Sequence, residues 1–264
     1  MNVLGVNCFG RGGSAILVSI LNGSPLVVNS TEWHREVFPT RRVGKAFRIM
    51  RYKFGLNVGE SFISSSSVRK LDEAFKTGAG EKPSAKICVT KVMDYYSVFN
   101  PTISKAHNNT SFVLFVREPV GLCESLMRSG NSLECAIDWY NSVLRLFWQQ
   151  KQTAKDTPVF RFEDLLRQPH AFATSVYQTL DLPPPPSGQI KLKKKRFGSA
   201  RSKNEDATTG WIDVSLKDLA DHIDPDVNKR ARERLGQTTA QEIISRTSAL
   251  AERFGYHQDV LVTQ

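Results

Sequence analysis

Absences narrow this chain before any motif does. No apolar run approaches the ~18 residues needed to cross a bilayer, so a membrane-spanning helix is not expected. The apolar start Met1 to Phe9 is too short and too uncharged for a secretory signal, and the expected compartment is the cytoplasm. Cysteine is scarce: Cys8, Cys88, Cys123 and Cys135 are the only four, with no Cys-x-x-Cys pair. That density excludes a disulfide framework, and three of the four sit in apolar runs as candidate buried thiols. The five histidines are scattered without a His-x3-His spacing, so no metal site is expected. Internal repeats are lacking, and low complexity is confined to Ser64 to Ser67 and a connector-like Pro183 to Pro186.

What remains is an ordinary globular composition, 40% hydrophobic and 23% charged over 264 residues. At ~150 residues per domain the length fits one large domain or two small ones. A single domain over 1–264 is the preferred count. The formal net charge of +10 favours anionic partners: nucleic acid, acidic lipid or a phosphate-bearing small molecule. The excess is concentrated. Arg41 to Lys53 holds six basic residues and no acid, and Lys191 to Lys203 holds seven and no acid. Solvated surface accounts for either run as well as a binding role does.

Short β-rich runs alternate with helical ones. Strands are expected over Met1 to Cys8, Lys86 to Val92, Phe112 to Val116 and Val159 to Phe162. Helices are expected over Ser14 to Leu21, Val120 to Met127, Leu133 to Gln150 and roughly Thr239 to Phe254. This alternation predicts an α/β fold, a three-layer parallel sheet of the P-loop nucleotide-binding type with a helical C-terminal part. Ligands of such sheets lie at the carboxyl ends of the strands.

The sharpest signal is at that place. The apolar run Val3 to Phe9 enters Gly10-Arg11-Gly12-Gly13-Ser14 and leaves as Ile16-Leu17-Val18-Ser19-Ile20-Leu21, which is strand, glycine turn and helix. Glycines let successive N–H groups point inward at the positive end of the helix dipole, an anion cradle suited to phosphate. The Gly5-x4-Gly10 spacing resembles the start of a Walker loop, but Arg11-Gly12 stands where a nucleotide triphosphatase carries Lys-Ser or Lys-Thr. A loop without that hydroxyl offers magnesium no ligand and suits a group less charged than a γ-phosphate. A merely tight βα turn is the structural alternative.

The loop resembles the 5′-phosphosulfate-binding loop of sulfotransferases that use 3′-phosphoadenylyl sulfate (PAPS). The resemblance implies that Gly10, Arg11, Gly12, Gly13, Ser14 and Ala15 hold the donor, Ala15 standing where the family often has Ser or Thr. Phe112-Val113-Leu114-Phe115-Val116 running into Arg117-Glu118-Pro119, with Ser125 eight residues after Arg117, is similar to the family's 3′-phosphate pair: an Arg at a strand end and a Ser two turns into the next helix. The alternatives are a surface ion pair of Arg117 with Glu118 or Glu124, and a neutral helix residue at Ser125. Weaker likenesses follow in Val159 to Leu165, where Glu163 and Asp164 are expected to cap a helix, and in Ala249 to Tyr256, similar to the family's terminal helix with its glycine stop. A late basic segment closes over the donor in this family, which makes 187–211 a candidate lid and Arg196 and Arg201 candidate donor contacts.

Transfer to an alcohol requires a base. Animal cytosolic sulfotransferases use a histidine at the end of a central strand, and Val89-Thr90-Lys91-Val92-Met93 has none. The Lys-x-Met strand end resembles the bacterial trehalose and nodulation-factor sulfotransferases, in which a glutamate about twenty residues beyond the loop is the base. Glu32, in Ser30-Thr31-Glu32-Trp33-His34, fits that spacing, with His34 a competing base and a surface Glu32 the third option. The resemblance therefore implies PAPS as donor, adenosine 3′,5′-bisphosphate as product, no metal, and transfer to a carbohydrate, glycolipid or other small alcohol, Glu32 and Arg11 being catalytic. It implies a small-molecule or glycan acceptor and no nucleic acid, and it admits a homodimer. Two competing readings are a P-loop kinase or nucleotide hydrolase, and a non-catalytic basic protein for nucleic acid or anionic surfaces.

Overall fold

The computed structural model describes residues 1–193 and 210–257. Arg196, Arg201 and the middle of the candidate lid lie outside the described residues. In chain order the elements are β1 (Asn2–Cys8), α1 (Ser14–Gly23), β2 (Val27–Glu32), α2 (Trp33–Val37), α3 (Arg41–Phe54), α4 (Glu60–Glu81), β3 (Ile87–Met93), α5 (Asn100–Ala106), β4 (Thr110–Val116), α6 (Pro119–Met127), α7 (Leu133–Thr153), β5 (Val159–Arg161), α8 (Phe162–Arg167), α9 (Pro169–Thr179), β6 (Gln189–Lys193), β7 (Trp211–Ser215), α10 (Val227–Leu235) and α11 (Gln237–Ala251).

Five strands form a parallel sheet in the order β2-β3-β1-β4-β5, and β6 and β7 form an antiparallel pair. The chain leaves β1 toward β2 and β3 on one side, then crosses to β4 and β5 on the other. The carboxyl end of β1 is thus the switch point at which open α/β sheets bind ligands. Side-chain alternation sets the layers. Leu4, Val6 and Cys8 of β1 face α1 and α9, whereas Val3 joins the cluster around Trp33. A third apolar cluster joins Phe9, α6, α7 and α11.

Among the elements not legible in the sequence are β2 and α4. β2 carries the polar run Asn29-Ser30-Thr31, masking a buried edge on which Ser30 Oγ donates to Thr90 Oγ1 at 3.2 Å. The Ser64 to Ser67 run lies inside α4, where Ile63, Ser67 and Leu71 form a buried i, i+4, i+8 stripe. Ser67 Oγ accepts from Trp33 Nε1 at 3.1 Å. The basic run from Arg41 is a helix, capped by Thr40 Oγ1 on the Val43 N–H and stopped by Gly55 at φ +64°. One local expectation is corrected. No side chain caps α8. Instead Glu163 points inward to accept from the Glu118 N–H at 3.1 Å, and Asp164 accepts from Arg161 Nε at 2.9 Å.

Trp33 is fully buried, edge-on to Phe38 at 5.8 Å and tilted to Phe99 at 5.5 Å. Trp33→Ala is expected to lower unfolding free energy by ~3–5 kcal/mol, read by denaturant titration, because it opens a cavity and removes the indole N–H from Ser67.

Candidate functional site

The buried strand β1 ends in Phe9, whose ring stacks on Tyr140 at 5.3 Å and fixes the exit of the chain. The next five residues curl back, with the Gly12 N–H donating to Phe9 O at 3.1 Å. Arg11 at φ +72° and Gly13 at φ +81° are both left-handed. A Cβ at Gly13 would overlap the Phe162 ring, so glycine is required there on two counts. Gly13 supplies no side-chain cap to α1; its carbonyl accepts from the Ile16 N–H at 3.1 Å, and the N–H groups ahead of Ile16 point out of the helix start. Ser14 Oγ is engaged with the Cys8 thiol, which burial pushes up to about 12.

Asp94, just beyond β3, holds the loop from below. Its Oδ1 accepts from the Gly10 N–H at 2.8 Å and from Trp139 Nε1 at 3.2 Å. Burial raises its carboxyl to about 6, opposed by those two hydrogen bonds and by Arg48. Its backbone, like that of Arg11, is left-handed at φ +53°. Two such non-glycine residues around one loop are the kind of strain that gathers at functional sites.

From β4 comes Arg117. Its NH1 donates to Arg11 O at 2.9 Å and its NH2 to Asn228 Oδ1 at 2.8 Å, while the guanidinium lies 4.7 Å from the Phe162 ring centre. It is 5% exposed, and its Nε is buried without a partner. The group is therefore not a surface ion pair. Arg11 itself reaches outward, its Nε donating to Ser129 Oγ at 3.0 Å, and Ser129 Oγ donates to Ser125 O at 2.8 Å. Ser125 is buried on α6 one turn before Ser129. Ala15 is exposed on the first turn of α1.

Glu32 ends β2 opposite Lys91 in register, and Lys91 Nζ donates to its Oε1 at 3.3 Å. Arg35 Nε lies 2.6 Å from Oε2. His34 Nε2 is 3.8 Å from the same oxygen, and its ring stacks on Tyr96 at 4.3 Å. Desolvation first, then Arg35, Arg41 and Arg48, lower the His34 pKa to about 4 against the opposing pull of Glu32. The imidazole is neutral at pH 7 and a weak proton acceptor.

The structure thus joins Gly10 to Ala15, Arg11, Arg117 and Ser125 around one loop, and sets Glu32 and His34 together at the end of the edge strand β2, with β3 between them and the loop. Sequence reasoning missed Asp94, Ser129 and Trp139. Asp94 alone had a readable signal, an acid one residue past the Lys91-Val92-Met93 strand end. Two surface clefts of about 360 and 380 Å³ lie elsewhere, against α4 and against β5 and α9, and contain none of these groups. We follow the converging donors rather than cleft size, since a shallow loop that binds by backbone N–H groups needs no deep cavity. Among the described residues no three His, Cys, Asp or Glu gather as metal ligands, and no helix is long and apolar enough to cross a membrane.

No family model matches the chain, and no curated protein matches it. Solved structures do. The sulfotransferase domain of the Synechococcus PCC 7002 olefin synthase aligns at TM-score 0.57 and 16% identity, covering 97% of this chain and 95% of that one. The sulfotransferase domain of the curacin biosynthetic pathway aligns at TM-score 0.54 and 16% identity, covering 94% and 97%. The fold is that of these sulfotransferase domains, a mostly parallel sheet between helices.

The two shifted groups have opposite pH signatures. Asp94, raised from 3.8 to about 6, binds more protons folded than unfolded, so its contribution to stability falls as pH rises from about 4 to 6. His34, lowered from 6.5 to about 4, contributes stability fully present above pH 6.5 and lost as pH falls toward 4. Relative to wild type, Asp94→Asn is expected to gain stability as pH rises through 4–6. His34→Gln is expected to lose it over 4–6.5. Denaturant titrations at several pH values read both slopes.

Proposed function

We propose that this chain transfers the sulfuryl group of PAPS to an acceptor hydroxyl. The observation that carries the reading is the loop at the carboxyl end of β1, on a fold shared with sulfotransferase domains. It combines helix-start N–H groups that no side chain caps, a left-handed Arg11–Gly13 turn that admits no larger residue at 13, and Arg11-Gly12 where a magnesium-binding loop carries Lys-Ser or Lys-Thr. When bound, the donor supplies an activated sulfuryl group on a bisphosphate leaving group. The residues from Gly10 to Ala15 fit it: the Gly10 and Gly12 N–H groups, taken by Asp94 and by Phe9 O, shape the turn, and Arg11, Gly13, Ser14 and Ala15 hold the phosphosulfate by backbone N–H groups and the α1 dipole.

Arg11 neutralises charge that develops at the leaving oxygen, the usual use of a preorganised cation in group transfer. Arg117, with its buried unpartnered Nε, and Ser125 serve the 3′-phosphate, and Arg117 also braces the loop through Arg11 O. Glu32 takes the acceptor proton. The lowered basicity of His34 favours the carboxylate over the imidazole, and Lys91 and Arg35 hold that carboxylate in place. The reading extends to one unit over 1–264 acting in the cytoplasm, with Arg196 and Arg201 as donor contacts; the start of 187–211 is no part of a lid, since β6 pairs with β7 and buries Ile190 and Leu192 in the core. The trehalose-type pattern of Glu32 favours a carbohydrate, glycolipid or small alcohol as acceptor.

Thermal stabilisation in EDTA by adenosine 3′,5′-bisphosphate, set against ATP with magnesium and against an oligonucleotide, tests the donor. The bisphosphate is expected to raise Tm most, and a strict magnesium requirement would move the weight to a kinase. With labelled PAPS, Glu32→Gln is expected to keep bisphosphate affinity and lower kcat by ~10² to 10⁴, the usual contribution of a positioned base. His34→Asn is expected to be mild. The reverse pattern would make the histidine the base.

A further inference from the structure

Arg48, on α3, is held as no other cation among the described residues is. Its guanidinium carbon lies 5.1 Å from the Tyr95 ring centre, 5.5 Å from that of Tyr96 and 6.0 Å from that of Trp139. None of the ion pairs among the described residues includes it, whereas Arg35, Arg161, Arg232, Arg234 and Arg246 each face a carboxylate. Aromatic faces orient a guanidinium without neutralising it, so its planar fork of donors stays available to an anion.

The place of this cation in the site is specific. Toward the loop, Trp139 donates to Asp94, which accepts from the Gly10 N–H. Toward the base, Tyr96 stacks on His34, whose Nε2 lies beside Glu32. Arg48 is therefore two side chains away from the donor cradle on one side, through Trp139 and Asp94, and two from the proposed base on the other, through Tyr96 and His34, which sets it beside the region that an acceptor hydroxyl must occupy. The flanking residues add to the bias. Arg41, Arg42, Lys45, Arg51 and Lys53 share α3, which carries no acid.

We infer that Arg48 selects acceptor alcohols that carry an anionic group, carboxylate or phosphate, and binds that group while Glu32 addresses the hydroxyl. This rests on the sulfotransferase reading and deepens it to a substrate class. A bidentate guanidinium contact in a partly desolvated aromatic setting is a strong discriminator, since a neutral acceptor would leave the guanidinium with no anion in contact.

The test is transfer from labelled PAPS to matched acceptors: glucose, glucuronate and glucose 6-phosphate, and 1,4-butanediol against 4-hydroxybutyrate. Wild type is expected to favour the anionic members by tenfold or more in kcat/KM. Arg48→Gln is expected to lower kcat/KM for anionic members ~10 to 100 times more than for their neutral partners, mainly through acceptor KM. Arg48→Lys, which keeps the charge, is expected to restore part of that preference. Unchanged Tm and unchanged bisphosphate affinity in both variants, by calorimetry, exclude misfolding and a donor role. Equal or better transfer to the neutral members, transfer to no member, or an equal loss on both classes in Arg48→Gln would overturn the assignment of Arg48. Failure of wild type to bind the bisphosphate at all would instead overturn the donor reading beneath it. The carboxylate and phosphate arms decide which anion is preferred.

Discussion

The structure depends on one constraint: the turn from Gly10 to Gly13 is clamped in a single shape. Asp94 takes the Gly10 N–H, Arg117 takes the Arg11 carbonyl, and the Phe162 ring closes the space that a side chain at 13 would need. Each clamp comes from a different strand end, β3, β4 and β5, so the parallel sheet is what brings them to one point. A loop fixed this way meets an anion without reorganising, which is the condition under which backbone dipoles stabilise charge most effectively.

The clamp has its own support. Arg117 is tied to Asn228 of α10, and Asn228 Nδ2 donates to Glu163 Oε1 at 2.9 Å. Glu163 also accepts from Tyr256 OH at 2.5 Å, while Glu118 caps α6 and faces Arg232. Burial and the nearby Glu163 raise the Glu118 carboxyl pKa, and burial lowers that of the Arg117 guanidinium. Buried carboxylates and arginines in contact contribute less to net stability than to uniqueness, since removing one partner leaves the other desolvated and unpaired. The helical C-terminal part is thereby linked to the chemistry at the loop.

Much of this was legible in the sequence, and the reasons differ by element. β1, the loop and α1 announced themselves because glycine spacing and an apolar run constrain the backbone directly. Strands β3, β4 and β5 and helices α6, α7 and α11 were readable within a few residues from periodicity. β2 was not, because its polar Asn29, Ser30 and Thr31 break the apolar pattern at a sheet edge, where the register with β3 shifts between Asn29 and Glu32. α4 was hidden by a serine run whose helicity comes from packing on Trp33 rather than from propensity. At the site, Arg117 was found from its strand-end position, but its burial and its grip on the Arg11 carbonyl were not, because both depend on α10, over a hundred residues away. Asp94, Ser129 and the aromatic setting of Arg48 depend likewise on contacts between distant segments.

The central claim is that the backbone from Arg11 to Ala15 receives the charged group of the donor. Amide chemical-shift mapping of isotope-labelled protein in EDTA, titrated with adenosine 3′,5′-bisphosphate, addresses it directly. The account predicts that the largest perturbations fall on the N–H groups of Arg11, Gly13, Ser14 and Ala15, with Arg117 and its neighbours following at the same saturation. Perturbations that leave this loop unmoved, or that arise only after magnesium is added, would contradict it.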